Sequence, residues 1–211
     1  ICTQLTLSSA SAQTSEPSAQ ALQQATALLE QGNAAANKGD VQQAIRDYTQ
    51  AITLNPNYAK AYYNRGYAYS DLKDHSSAIR DYTQAIALNP NDADAYYNRG
   101  IAYDDLSDYS SAIRDYTQAI AINPNLAEAY NNRGGAYNKL KDYSSAIRDF
   151  TQAIAINPNL AEAYINRAIS LASKNDYRNA TRDARKACSL GDCKVLEFLG
   201  QNGLLRDWFS A

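Results

Sequence analysis

The sequence predicts an all-α solenoid of helical hairpins, and three observations predict it. The segment AYYNRGYAYSDLKDHSSAIRDYTQAIALNPN, Ala61 to Asn91, returns with few changes as AYYNRGIAYDDLSDYSSAIRDYTQAIAINPN, Ala95 to Asn125. Blocks 25–58, 59–92, 93–126, 127–160 and 161–194 share one 34-residue frame without insertion, and a strict period of this size marks a solenoid. Within each block two stripes at helical spacing are separated by a turn signal and closed by a helix stop.

The first helix of each hairpin follows from positions 4, 8 and 11 of the frame. Position 4 is Leu28, Tyr62, Tyr96, Tyr130 or Tyr164, position 8 is Gly32, Gly66, Gly100, Gly134 or Ala168, and position 11 is Ala35, Tyr69, Tyr103, Tyr137 or Leu171. The second helix follows from alanine at positions 20 and 27 throughout, with Tyr48, Tyr82, Tyr116, Phe150 or Ala184 at position 24. A glycine inside a helix costs about 1 kcal/mol of propensity, so its recurrence predicts close helix contact: Gly66 and Ala78 let two helices approach, and Tyr62, Tyr69 and Tyr82 fill the space beside them. Leu72-Lys73-Asp74, Leu106-Ser107-Asp108 and Leu140-Lys141-Asp142 form the turn within the hairpin. Asn89-Pro90, Asn123-Pro124 and Asn157-Pro158 stop the second helix, because a residue before proline is pushed out of the helical region.

This pattern resembles the tetratricopeptide repeat (TPR), with its large residue at 4, Gly or Ala at 8, Tyr at 11, Ala at 20, an aromatic at 24, Ala at 27 and Pro at 32. The match is tightest in 59–92, 93–126 and 127–160 and loosens at the ends, where 161–194 carries Ala168, Ala184 and Asp192. The resemblance implies a TPR α-solenoid, a right-handed superhelix of helical hairpins of bacterial type that holds a protein or peptide in its concave groove. Residues 195–211 are expected to cap the last hairpin, with Val195, Leu196, Leu199, Leu204, Leu205 and Trp208 over its open apolar flank.

Where family members usually carry leucine at position 7, this chain has Arg65, Arg99, Arg133 and Arg167, and position 23 is Asp47, Asp81, Asp115, Asp149 or Asp183. Both positions border their apolar stripes, so the residues are expected to be structural ion pairs at the interhelix margin. The first block has Gln31 in place of arginine yet keeps Asp47, which points to pairing across the repeat joints: Asp47 with Arg65, Asp81 with Arg99, Asp115 with Arg133 and Asp149 with Arg167. Pairing within each block is the alternative.

In the family, positions 2, 5, 9 and 12 of the first helices line the concave face, and position 6 adjoins them. Here they supply a candidate groove of Lys60, Tyr63, Asn64, Tyr67, Asp94, Tyr97, Asn98, Asp104, Glu128, Asn131 and Asn132. The asparagines suit hydrogen bonding to an extended peptide, and Tyr63, Tyr67 and Tyr97 beside Asp94, Asp104 and Glu128 suit apolar anchors with some positive charge. The opposing reading is a merely solvated surface. The family's best-known clamp for acidic chaperone tails requires Lys at 5 and 2 and Arg at 6, where this chain has Leu29, Asp94 and Asn98, so that clamp is not assembled. The runner-up function is a self-assembling structural protein, a homo-oligomer joined through its terminal faces.

Composition narrows the remaining classes. The 211 residues carry 20 basic and 22 acidic side chains for a net charge of −2, with no dense cationic block of the kind nucleic acid requires. No stretch has the length of a membrane-spanning helix. No cofactor or metal is implied, and catalysis is not expected: the single histidine, His75, occupies a position that later repeats fill with Tyr109, Tyr143 and Tyr177, and no nucleophile or metal-ligand cluster accompanies it. Residues 1–24 read as a leader, either a signal-peptide remnant ending near Ala10-Ser11-Ala12 or a disordered polar segment. Cys188 and Cys193 flank Gly191 at the end of the last hairpin, as a disulfide, as two buried thiols or, against a spacing that is not Cys-x-x-Cys, as a redox-active pair; the leader and the bridge together favour an exported, periplasmic or lumenal protein over a cytoplasmic one.

Overall fold

The structure, a computed structural model, describes residues 17–205. Among them are eleven helices and no strand: α1 Ala19–Asn37, α2 Val41–Leu54, α3 Ala59–Asp71, α4 His75–Leu88, α5 Ala93–Asp105, α6 Tyr109–Ile122, α7 Ala127–Lys139, α8 Tyr143–Ile156, α9 Ala161–Ser173, α10 Tyr177–Ser189 and α11 Lys194–Gln201. Consecutive pairs from α1–α2 to α9–α10 form five hairpins. Helix α1 starts ahead of the repeat frame, so residues 19–24, expected as leader, are helical instead. The local sequence explains this: Ser18 caps the helix by accepting from the Ala21 N–H, and alanine, leucine and glutamine, all good helix formers, run straight into the repeat. Residues 1–16, where the signal reading falls, and Trp208 lie outside the described residues.

Each hairpin turns on one residue. Lys73, Ser107, Lys141 and Asn175 hold φ of 60°, 62°, 62° and 63°, with Gly39 at 81° in the first repeat. The left-handed residue lets the Asp74 N–H reach the Tyr69 carbonyl at 2.9 Å and the Lys73 N–H reach that of Ser70 at 2.8 Å, which satisfies the last carbonyls of the helix. The next residue, Asp40, Asp74, Asp108, Asp142 or Asp176, caps the following helix by accepting a backbone N–H from three residues on. At the far end Asn55, Asn89, Asn123 and Asn157 leave the helical region and proline follows, as expected.

Because the two helices run antiparallel about that turn, residues equidistant from it lie level. The small residue at position 8 meets the ring at position 24, close to that level. A Cβ built on Gly66 would sit 3.0 Å from Tyr82 Cε1, on Gly100 2.7 Å from Tyr116 Cε1, and on Gly134 2.7 Å from Phe150 Cε1. Tyr82, Tyr116 and Phe150 are fully buried, as are the alanines at 20 and 27.

Positions 7 and 23, each eight residues from the left-handed residue, lie level, and this corrects the expected ion pairs. Arg65 donates through Nε and Nη2 to Asp81 Oδ2 and Oδ1 at 2.7 and 2.8 Å. Arg99–Asp115, Arg133–Asp149 and Arg167–Asp183 repeat the geometry with Nε–Oδ2 distances of 2.7, 2.7 and 2.6 Å. Every pair closes within its own repeat, not across the joint. What crosses the joint is the third nitrogen: Nη1 of each arginine donates to Thr49, Thr83, Thr117 or Thr151 of the preceding repeat at 2.9 to 3.0 Å. Asp47, left without an arginine by Gln31, accepts instead from Gln43 Nε2 at 2.7 Å. The guanidinium carbons also lie over Tyr62, Tyr96, Tyr130 and Tyr164, 5.5 to 5.8 Å from the ring centres.

Successive first helices touch one another, whereas no Cα of α2, α4, α6 or α8 comes within 8 Å of the next second helix. The repeats are thus wedges, and their narrow edges put α1, α3, α5, α7 and α9 on the concave side. Helix α11 closes the last hairpin: Leu199 is buried with Ala168, Ala180 and Ala184, and Val195, Leu196, Leu204 and Leu205 pack around them. The structure pairs Cys188 with Cys193, Cα atoms 4.0 Å apart, across the turn between α10 and α11.

Adjacent glycines on α7 should respond oppositely to alanine. Gly134→Ala forces its methyl into Phe150 and should lower stability by about 1–3 kcal/mol, while Gly135→Ala meets nothing within 4 Å and should raise it by up to about 1 kcal/mol. Urea unfolding midpoints of the two variants check this.

Candidate protein-binding groove

The concave face is built from the first helices, and the structure divides the expected groove residues into two kinds. Lys60, Asp94 and Glu128 are exposed, and Tyr67 is 53% exposed. The others, Asp104 apart, are partly spent on holding repeats together. Asn64 Nδ2 donates to Asn33 at 2.7 Å, Asn98 to the Tyr63 hydroxyl at 2.8 Å, Asn132 to the Tyr97 hydroxyl at 3.1 Å and Asn166 to Asn131 at 3.2 Å. Position 6 of one repeat thus binds the repeat before it, and a donor expected to meet a peptide is engaged at the joint. Asn131 is only 3% exposed, so its amide belongs to this ladder. Tyr63 and Tyr97 also tilt against Tyr82 and Tyr116, ring centres 5.8 and 5.9 Å apart.

Between these ladder rungs the face opens into clefts. The first, about 420 Å³, lies between repeats one and two, walled by Asn33, Val41, Tyr48, Tyr63, Tyr67 and Asp71. A second, about 350 Å³, lies on the other side of Tyr63 and brings Lys60 together with Asp92 and Asp94. A third, about 220 Å³, lies between α5 and α7 and contains Asp104, Lys139 and Glu162. The clefts fall on one face because the frame returns every position 5, 9 and 12 to the same side.

The ionisable groups of this face respond to its partial burial. Desolvation, reinforced by Asp94 and Asp92, raises the Tyr63 hydroxyl to about 12. Burial raises Tyr82 and Tyr116 further, and raises Tyr97 with help from Glu128. Asp104 is raised by desolvation and then by Asp105 next to it. His75 opens α4 with Nδ1 3.4 Å from Asp105 Oδ2, too poorly aligned to be a hydrogen bond. Asp104 and Asp105 do point apart: the first enters the third cleft, the second faces His75.

Across-joint pairing gave Asp183 no arginine, whereas the structure pairs it with Arg167, and sequence reasoning left out Thr49, Thr83, Thr117 and Thr151, which receive the arginines across the joints. Both signals were present, as residues level in an antiparallel hairpin and as a threonine recurring at position 25.

The tetratricopeptide repeat profile matches residues 59–92, 93–126 and 127–160, and a TPR repeat profile matches 32–73. The chain belongs to the tetratricopeptide repeat family. Among solved structures, a TPR-like match is MamA, 28% identical over 75% of this chain and 93% of that one, TM-score 0.74. YrrB, described as a TPR protein with an unusual peptide-binding site, is 21% identical and covers 84% of this chain and 92% of its own, TM-score 0.74; at that identity it speaks for the TPR fold alone. The first TPR domain of Spaghetti (RPAP3), solved with the HSP90 peptide SRMEEVD, is 33% identical over 56% of this chain and 94% of its own, TM-score 0.56. No curated protein sequence matches the chain. Among the described residues no helix is long and apolar enough to cross a membrane.

The raised tyrosines make alkaline stability a test of the groove wall. Protonated Tyr63 is favoured in the fold, so its contribution is complete below the unfolded value of about 10 and disappears as pH rises through about 12. Stability should therefore fall across that window, and Tyr63→Phe should flatten the fall, as read from urea midpoints at stepped pH.

Proposed function

We propose that this TPR protein is a scaffold that holds a peptide or a segment of a partner protein in its concave groove and performs no chemistry on it. The observation that carries this reading is the pair of clefts flanking Tyr63. They are wide, partly apolar, and edged by Lys60, Asp94 and exposed Tyr67, side chains for which repeat packing has no use. Aromatic walls with a polar rim suit an extended segment that inserts alternate side chains. The peptide-bearing Spaghetti domain supports the class of ligand, but not its sequence, since the chaperone clamp is absent here: Leu29, Asp94 and Asn98 stand where it needs cations.

Self-assembly through the terminal faces is a second reading, favoured by one feature. Phe198, 58% exposed, and Ile169 edge an apolar cleft of about 350 Å³ at the capped end.

One set of variants separates the two. Tyr67→Ala with Asp94→Ala removes groove side chains that hold no repeat joint, and should reduce capture of partners from the native extract about tenfold or more while leaving oligomer mass unchanged. Undiminished capture, together with a mass that falls in Phe198→Asp, would favour the terminal faces.

Export to an oxidising compartment, with the Cys188–Cys193 bridge pinning the cap, belongs to the same proposal. Alkylation of the native-source protein without reductant should leave both cysteines unmodified in the intact mass; two added groups at 188 and 193 would remove the bridge from the account.

A further inference from the structure

The third cleft has a chemistry of its own. Its wall combines Ile101 and Asp104 of α5, Tyr116 of α6, Gly135 and Lys139 of α7, and Glu162 of α9. Asp104 Oδ1 is shut off from solvent and has no hydrogen-bond partner, an unusual condition for a carboxylate oxygen, which costs free energy until a donor reaches it. The equivalent residues of neighbouring repeats are satisfied: Ser70 meets the Tyr82 hydroxyl at 3.4 Å and Asn138 accepts from Ser170 at 2.8 Å. The mouth of the cleft is open because position 9, occupied by Asn33, Tyr67, Ile101 and Ile169 in the other repeats, is Gly135 here, and a Cβ there would meet nothing within 4 Å.

The surrounding charge selects the visitor. The arginines of α3, α5, α7 and α9 are all consumed by aspartates. Along those helices the remaining acids are Asp71, Asp94, Asp104, Asp105, Glu128 and Glu162, against Lys60 and Lys139. Around Asp104 itself stand Asp105, with His75 beyond it, Glu162, Tyr116 and a single cation, Lys139, whose side chain is exposed. Two carboxylates at a partly desolvated cleft attract a cation more strongly than they would in open water.

We propose that the cleft between α5 and α7 receives a basic side chain, arginine or lysine, of the segment held in the groove. Asp104 accepts its hydrogen bond, Glu162 adds charge from the rim, and Gly135 leaves the space for its stem. Lys139 is the internal competitor for the same carboxylate. The inference rests on the groove reading and names the residue class that would anchor the partner's position along the solenoid.

Three capped pentapeptides of alanine with arginine, norleucine or glutamate at the centre provide the probe, titrated at millimolar concentration into the full isotope-labelled chain. The arginine peptide should move the amide signals of Ile101, Gly135 and Lys139, and the norleucine and glutamate peptides should not. Asp104→Asn should weaken that binding about fivefold or more, Gly135→Leu should block it with all charges kept, and Lys139→Ala should strengthen it. Binding should also weaken on acidification, starting at a higher pH than for an ordinary aspartate, because the carboxyl is raised and must be ionised to bind. Helical circular dichroism confirms that each variant is folded. Equal shifts with glutamate, or an arginine response indifferent to Asp104→Asn and Gly135→Leu, overturn the basic-anchor inference alone. Silence of every concave-face signal with all three peptides overturns it together with the groove reading.

Discussion

Close approach of two helices at position 8 governs the rest of this molecule. Gly66, Gly100 and Gly134 leave no side chain between the helix axes, and the ring at position 24 packs directly against the bare backbone. That contact fixes how far the hairpin closes, and the left-handed residue at the turn fixes which residues then stand level. Positions 7 and 23 each stand eight residues from that left-handed residue, so the arginine–aspartate pair is a product of the hairpin's symmetry. A buried ion pair adds little net stability after desolvation, but it demands a narrow geometry. The bidentate fork reads the hairpin's closure, and the remaining Nη1 carries that orientation to threonine on the next repeat. Local register and superhelical register are thus coupled through one side chain per repeat.

The same economy explains how much of the structure was legible in the residues. Period, helix order, glycine–aromatic contact and asparagine–proline stops followed from spacing, because each is a property of the chain within one repeat. The partner of Asp81 does not follow from the absence of arginine at Gln31 in the first repeat; it follows from geometry. Counting outward from Lys73 places Arg65 and Asp81 at equal distance, and that alone decides the pairing. Asp47 survives its missing arginine because Gln43, one turn away on its own helix, supplies a donor. The start of α1 was missed because the frame begins at 25 while helix propensity does not; nothing between Ala19 and Thr26 breaks a helix.

The groove was harder to read, for a physical reason. A side chain on the concave face has two possible fates, bonding to the neighbouring repeat or facing solvent, and both use the same residue types. Asn98 and Tyr63 have the composition of a recognition surface, yet they bind each other across thirty-five residues of chain. Sequence spacing places both on the inner helices but does not say that position 6 of one repeat lies within reach of position 5 of the one before. Only the inter-repeat rotation decides that, and it is set by packing summed over the whole joint.

That bonding has a consequence for recognition. With the asparagine amides and the arginine guanidiniums committed internally, the polar groups left over on the inner helices are mostly carboxylates, so the concave face is acidic although the chain as a whole is close to neutral. Uniform repeats would spread this charge evenly and give a partner no preferred register. The deviations from repeat identity break the degeneracy: Tyr67 in the second repeat, Asp104 in the third and Gly135 in the fourth each occur once at their position. In a solenoid the shared residues hold the stack together and cannot also distinguish one site along it from the next. Specificity must therefore come from residues in which a repeat differs from its neighbours, and here those differences cluster around the clefts between the first and fourth hairpins.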